Sequence, residues 1–258
     1  MDILTFKSFY DTVLGEKVFS TLTNKINLMA HDVAGERVMG LGYVTPYLTW
    51  FREHAERCFA FMPARQGASV WPSAEKVATA LVFEEDLPLP DAAVDRVILV
   101  HSLEFAENAR EMLSEMWRVL APNGRIIVIV PNRRGFWARN DHTPFGSGQP
   151  YSRVQLLDLL HETNFTISAI GEALYYSPSK STVARGFSKI YEPLARSLFP
   201  YFGGVIICQA QKRLYQGVAM HRRQSRRIFI PALSPQITNR KSFYVTGQRI
   251  VQKYCRNS

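Results

Sequence analysis

Val94-Asp95-Arg96-Val97-Ile98-Leu99-Val100, then Asn108 to Leu120, then Arg125-Ile126-Ile127-Val128-Ile129-Val130 decide how this chain folds. The first and third stretches are short and nearly continuous in apolar residues, the pattern of strands buried on both faces. The middle stretch places Met112, Leu113, Met116 and Leu120 on one side of a helix. Ala121-Pro122-Asn123-Gly124 closes that helix with turn residues. Strand, helix and strand in this order make a parallel crossover unit.

Outward from this unit the alternation continues. Arg37 to Leu41 reads as a strand. A helix follows, with Thr45 as its N-cap and Pro46 in its first turn, running through Tyr47, Leu48, Phe51, Ala55 and Cys58. Cys58 to Met62, stopped by Pro63, and Val77 to Phe83 read as further strands. Ser152 caps a helix over Leu156 to Leu160. Thr166 to Leu174 and Gly204 to Lys212 read as the last two strands, around a helical insert at Ser181 to Leu198. Helices at Phe6 to Leu14 and Lys17 to Ala30 precede the first strand as a cap. The class is α/β, a doubly wound, mostly parallel sheet.

The 258 residues carry 31 Lys and Arg against 22 Asp and Glu, a net charge of +9. Nine of the basic residues fall in 219–258, which has no acid, and that leaves 22 of each sign in 1–218. The fold itself is therefore neutral, which disfavours nucleic acid as its ligand. The organisation expected is a helical cap at 1–35, a main domain at 36–218 and a basic tail at 219–258. Arg222-Arg223 and Arg226-Arg227 stand beside Ile228-Phe229-Ile230 in that tail. An acidic protein partner, an anionic surface or the domain itself could receive it. No apolar run reaches the roughly 20 residues of a membrane span. The N-terminus lacks a signal-peptide pattern, and Cys58, Cys208 and Cys255 are far apart. A reduced, cytoplasmic setting is expected, with no metal site.

Ligands of open α/β sheets bind outside the carboxyl ends of the strands. Here those ends are Gly40 to Thr45, Met62 to Arg65, Phe83 to Leu87, His101 to Glu104 and Pro131 to Arg134. Glu85-Asp86-Leu87-Pro88-Leu89-Pro90-Asp91, Val94-Asp95-Arg96-Val97 and Glu115 to Gly124 together resemble the class I S-adenosylmethionine-dependent methyltransferases, type 11 group. The resemblance covers roughly residues 37–131 and implies a Rossmann-like seven-stranded sheet in order 3-2-1-4-5-7-6. It also implies S-adenosylmethionine as cofactor, with S-adenosylhomocysteine as product, and a small-molecule methyl acceptor.

The first motif departs from that family. The acid usual at the end of strand one falls on Gly40; the first glycine is kept as Gly42, and the next two become Val44 and Pro46. The acid usual at the end of strand two is absent from Met62-Pro63-Ala64-Arg65. Two lost charged hydrogen bonds correspond to about 3–6 kcal/mol, or roughly 10²–10⁴ in dissociation constant. By resemblance, Gly40, Gly42 and Tyr43 face the cofactor, as do Met62 and Pro63. Glu84 or Glu85 would accept from the adenine amino group, Met62 and Leu87 would sandwich its ring, and His101 would border the cofactor. His101, as a general base, and Glu104 are the catalytic candidates. The alternatives are a packed histidine and a solvated turn. Tyr10 is expected in the core, or else over the sulfonium. Arg133, Arg134 and Arg139 either bind an acidic substrate group or are solvated. A non-catalytic member of the fold with a weakened cofactor site is the competing function, and a tail-recruited nucleic-acid methyltransferase ranks last.

Overall fold

A computed structural model describes residues 1–178 and 202–214. The helical insert expected at Ser181 to Leu198 and the basic tail lie outside the described residues. Seven strands form one sheet: β1 (Arg37–Gly42), β2 (Arg57–Pro63), β3 (Thr79–Val82), β4 (Val94–Val100), β5 (Leu120–Pro131), β6 (Phe165–Ala173) and β7 (Val205–Lys212). Their order is β3-β2-β1-β4-β5-β7-β6. β7 runs antiparallel to both neighbours, and the other pairs are parallel. This is the Rossmann-like order the resemblance implied. The direction of winding reverses between β1 and β4, so their carboxyl ends border the crevice where such folds bind ligands.

Among the described residues six α-helices flank the sheet: α1 (Ile3–Tyr10), α2 (Val13–Ala30), α3 (Thr49–His54), α4 (Ala109–Val119), α5 (Pro144–Ser147) and α6 (Arg153–Glu162). The apolar strands serve two cores at once. In β4, Ile98 and Val100 join Phe6, Leu22, Tyr47 and Phe51 on one face. Val97 and Leu99 join Met112, Leu113 and Met116 of α4 on the other. The alternation has period two, so only a strand without polar positions can satisfy both faces. Caps follow ordinary chemistry: the Asn108 side chain accepts from Glu111 N–H, and Ser152 with Gln155 makes a full capping box on α6. Among the described residues no helix is long and apolar enough to cross a membrane.

Three local expectations need correction. Thr45 makes no side-chain cap; Pro46 instead opens a 3-10 turn at Thr45–Leu48, and α3 begins at Thr49. That helix stops at His54 because Ala55 is extended, which lets Arg57 pair with Arg37 and puts Cys58 in β2. The turn at Ala121 to Gly124 lies within β5 as an irregularity, with Asn123 left-handed and the register shifted between Val94 and Arg96.

The family-like motif after α4's apolar face is architectural. Glu115 Oε1 accepts from Leu87 N–H at 2.8 Å, while Arg118 donates to Leu89 O and to Asp91, both at 2.8 Å. Together they pin the 87–91 loop over the edge of β4. Burial pushes the Glu115 carboxyl up, but the Arg118 and Leu87 hydrogen bonds outweigh it and hold it below the ordinary 4.5. A depressed carboxylate stabilises above its unfolded value, and that stabilisation is lost as pH falls through the folded value. Glu115→Gln should therefore cost about 1–3 kcal/mol at pH 7. The gap to the parent should narrow below about pH 4.5. Urea unfolding at both pH values checks this, and a pH-independent gap would rule it out.

Candidate active site

The carboxyl end of β4 turns sharply at His101, whose φ of 52° is left-handed for a residue with a side chain. Such strain costs about 1–3 kcal/mol and persists only where surroundings over-determine it. Glu104, in the short 3-10 turn that follows, provides much of that restraint. Its Oε1 lies 3.1 Å from His101 Nδ1, and its Oε2 accepts from Ser102 N–H at 3.1 Å. His101 and Glu104 are both buried. The far nitrogen, Nε2, lies 2.8 Å from the Tyr10 hydroxyl, which in turn accepts from the Tyr47 hydroxyl at 2.9 Å. Tyr47 donates to Tyr10, so the Tyr10 proton points at Nε2. His101 then keeps its proton on Nδ1, facing Glu104. Burial, with Tyr47 and Tyr43 beside it, pushes the Tyr10 hydroxyl well above the ordinary tyrosine value. The pair therefore holds a neutral phenol.

Rings surround this chain. Phe6 stacks on His101 at 4.8 Å and on Tyr43 at 5.2 Å, and Phe145 approaches His101 at 4.8 Å. Gln66, just past β2, donates to His101 O at 2.8 Å and accepts from Ile3 N–H at 2.8 Å. The first helix is thereby fastened across the ends of β1, β2 and β4.

A second site lies at the ends of β2 and β3. A cleft of about 520 Å³ is lined by Ala64, Arg65, Glu84, Glu85 and Glu107. Arg65 reaches Glu84 at 3.0 Å and Glu107 at 2.9 Å. Glu84 Oε2 is buried without a hydrogen-bond partner. Burial, with Glu85 adding to it and Arg65 opposing, raises the Glu84 carboxyl above the usual range.

Residues 28–128 match the family model described as a methyltransferase domain, type 11. This segment, about two fifths of the chain, is similar to a methyltransferase domain. A Mycolicibacterium smegmatis protein named as a probable S-adenosylmethionine-dependent methyltransferase is 34% identical over 84 residues. The aligned segment spans 32% of this chain and 32% of that relative's own length. A Thermotoga maritima structure, a methyltransferase described as a possible histamine N-methyltransferase, superposes with TM-score 0.59 at 14% identity, covering 82% of this chain and 96% of the other. An Aquifex aeolicus methyltransferase gives 0.54 at 16% identity, covering 82% and 99%. Likeness at these identities concerns the fold. S-adenosylmethionine is the cofactor named for the Mycolicibacterium smegmatis relative.

The chain fits that cofactor unevenly. The orphaned Glu84 oxygen beside an open cleft suits an amino donor such as that of adenine. The methionine end does not fit in this arrangement. The place of the usual acid is Gly40, where an added Cβ would lie 2.3 Å from Val44 Cγ1. Phe6, Gln66 and Tyr43 fill the space between the ends of β1, β2 and β4. Gly42 keeps its left-handed φ of 93°, packed against Val100 O and Ser102.

The structure thus brings His101, Glu104, Tyr43 and Gly42 together, and Glu84 with Glu85 apart from them. Met62 and Leu87 are both buried, Met62 taking Ser69 N–H on its sulfur and Leu87 packing in the α4-side core. Pro63 ends β2. Arg134 lines a small cleft with Asn132 and Glu172, apart from Arg139, while Arg133 donates to Pro150 O. Sequence reading did not assign Tyr47 or Gln66 to the site, since each acts through a partner 35 or more residues away.

Proposed function

We propose that the chain is an S-adenosylmethionine-dependent methyltransferase acting on a small molecule, with α1 closed over its site. The observation that carries this reading is the buried Glu104–His101 pair on a strained turn at the switch point of a methyltransferase-type sheet. His101 Nε2, held unprotonated, is built to take a proton from an acceptor. Glu104 fixes the ring and steadies the imidazolium that results. The cofactor, when bound, supplies an electrophilic methyl group. Glu84 holds its adenine amino group, and the Gly42 turn lets backbone approach it.

Calorimetry with S-adenosylhomocysteine tests the reading. Binding is expected, and Glu84→Gln should weaken it about tenfold, the effect of one buried charged hydrogen bond. A folded sample that binds nothing at millimolar ligand would sink it. The same null result would favour the second reading, a non-catalytic binding or regulatory protein. That reading is supported by the filled methionine end and by Val44 packed against Gly40. We place the protein in the cytoplasm, in keeping with the free thiols of Cys58 and Cys208. The 219–258 segment is proposed as a docking element for an acidic partner or surface, and 1–35 as the cap of a domain spanning 36–218.

A further inference from the structure

We infer that the cleft at the ends of β5, β6 and α6 binds a phosphate group that carries a proton, held by Arg134, Arg153 and Glu172. The site is separate from the His101 pair and the Glu84 cleft and independent of the methyltransferase reading. It has a volume of about 220 Å³ and is lined by Asn132, Arg134, Ser152, Arg153, Val154 and Glu172. β7 runs antiparallel between β5 and β6, with Val205 paired to both Pro131 and Ala173. Its lead-in, Gly203-Gly204, therefore lies among their carboxyl ends, with Asn132 and Glu172 on either side.

Glu172 is the buried member of the site. It is 8% exposed, and its Oε2 accepts from Gly203 N–H at 2.8 Å and from Asn132 Nδ2 at 3.3 Å. Both bonds fall on Oε2, which leaves Oε1 for the cleft. Burial raises this carboxyl above the usual range; the Gly203 bond, Arg153 and Arg134 oppose the rise. Arg134 and Arg153 are exposed, and neither guanidinium makes a hydrogen bond or an ion pair among the described residues. Two like charges thus border one small cleft, an unfavourable arrangement that an anion relieves. Their backbones are fixed. Arg134 N–H donates to Asn132 Oδ1 at 3.1 Å, and Arg153 opens α6 behind the Ser152–Gln155 capping box. Ser152 Oγ accepts from Gln155 N–H at 3.2 Å and keeps its own proton to donate. Arg133 turns away to Pro150 O.

This inventory selects the ligand. Arg134, Arg153 and Ser152 donate, and Glu172 Oε1 accepts. The ligand must offer several anionic oxygens and one O–H. Sulfate has four oxygens and no proton, and a carboxylate has two and none, so each would set a lone pair against Glu172. Phosphate and phosphomonoesters, the latter with a second ionisation at about pH 6, have a P–O–H to donate to Oε1. Their other oxygens take the arginine forks.

Calorimetry on the full chain, at pH 6 and constant ionic strength, compares inorganic phosphate, ethyl phosphate, sulfate and glycine, whose ammonium could also face Glu172. Phosphate should bind about tenfold more tightly than sulfate, against the order that charge alone would give. Ethyl phosphate binding as well makes a monoester the ligand, and inorganic phosphate binding alone makes it the free ion; both support the site. Arg134→Ala and Arg153→Ala, at exposed positions, should each weaken phosphate about tenfold. Glu172→Gln, whose amide can donate, should let sulfate bind as well as phosphate. The parent and the arginine variants carry the test if Glu172→Gln, which also bonds Gly203, does not fold. Sulfate or glycine binding the parent as tightly as phosphate overturns the inference, as does no phosphate binding at millimolar concentration. So does a phosphate affinity unchanged in both arginine variants, which would assign the binding to the arginines of 219–258 instead.

Discussion

Gly42→Ala should cost about 3–5 kcal/mol of folding stability, lowering the melting temperature by about 10 °C. Two effects add. The residue holds φ at 93°, a region where a Cβ is strained by about 1–2 kcal/mol. An added Cβ would also lie 2.4 Å from Val100 O, 2.8 Å from Ser102 Cβ and 2.9 Å from His101 O. All belong to the central strand or the turn behind it, so relief requires moving the backbone that carries the His101 pair. Gly35→Ala separates the two effects. Its φ is 73°, but nothing lies within 4 Å of the new atom, and it should cost only about 1–2 kcal/mol. Urea unfolding of both variants measures the difference. Equal losses would mean that the close approach at Gly42 is unimportant.

Glu104→Gln should lower turnover by about 10²–10⁴, the range ascribed to a general base, with little change in substrate affinity. The carboxylate accepts from His101 Nδ1 with one oxygen and from Ser102 N–H with the other. An amide has a single acceptor oxygen. If that oxygen keeps Ser102, the NH₂ faces His101, and the imidazole must carry its proton on Nε2, where it cannot receive another. Nitrogen NMR of the His101 ring should report this tautomer change directly, and methyl transfer from labelled S-adenosylmethionine should report its kinetic effect. Turnover within a few-fold of the parent, with the tautomer switched, would show that the pair is not the base.

The sheet was legible in the sequence because its central strands carry long apolar runs. Residues such as Val97 to Val100 have no polar position, and a strand that feeds two cores cannot have one. Ends of elements were less legible. Thr45-Pro46 has the composition of a helix start, yet the tight exit from Gly42 leaves room first for a 3-10 turn. In the site, His101 and Glu104 could be named from their place after β4, since they are three residues apart. Their partners could not. Tyr10 is 91 residues from His101, and what joins them is the packing of a separate helix, which no local pattern records. The motif best visible in the sequence, Glu115 with Arg118, proves to hold a loop rather than a ligand.

The contact between Gly40 and Val44 constrains which substitutions this chain tolerates. An acid at position 40 would drive its Cβ into Val44 Cγ1 and Leu48 Cδ1, whereas a glycine at position 44 alone would leave a hole beneath the 3-10 turn. Each single change is therefore harmful, and the pair together relieves the Val44 clash while Leu48 must still give way. The two positions are epistatic, so the effect of a side chain at 40 is set by what stands at 44.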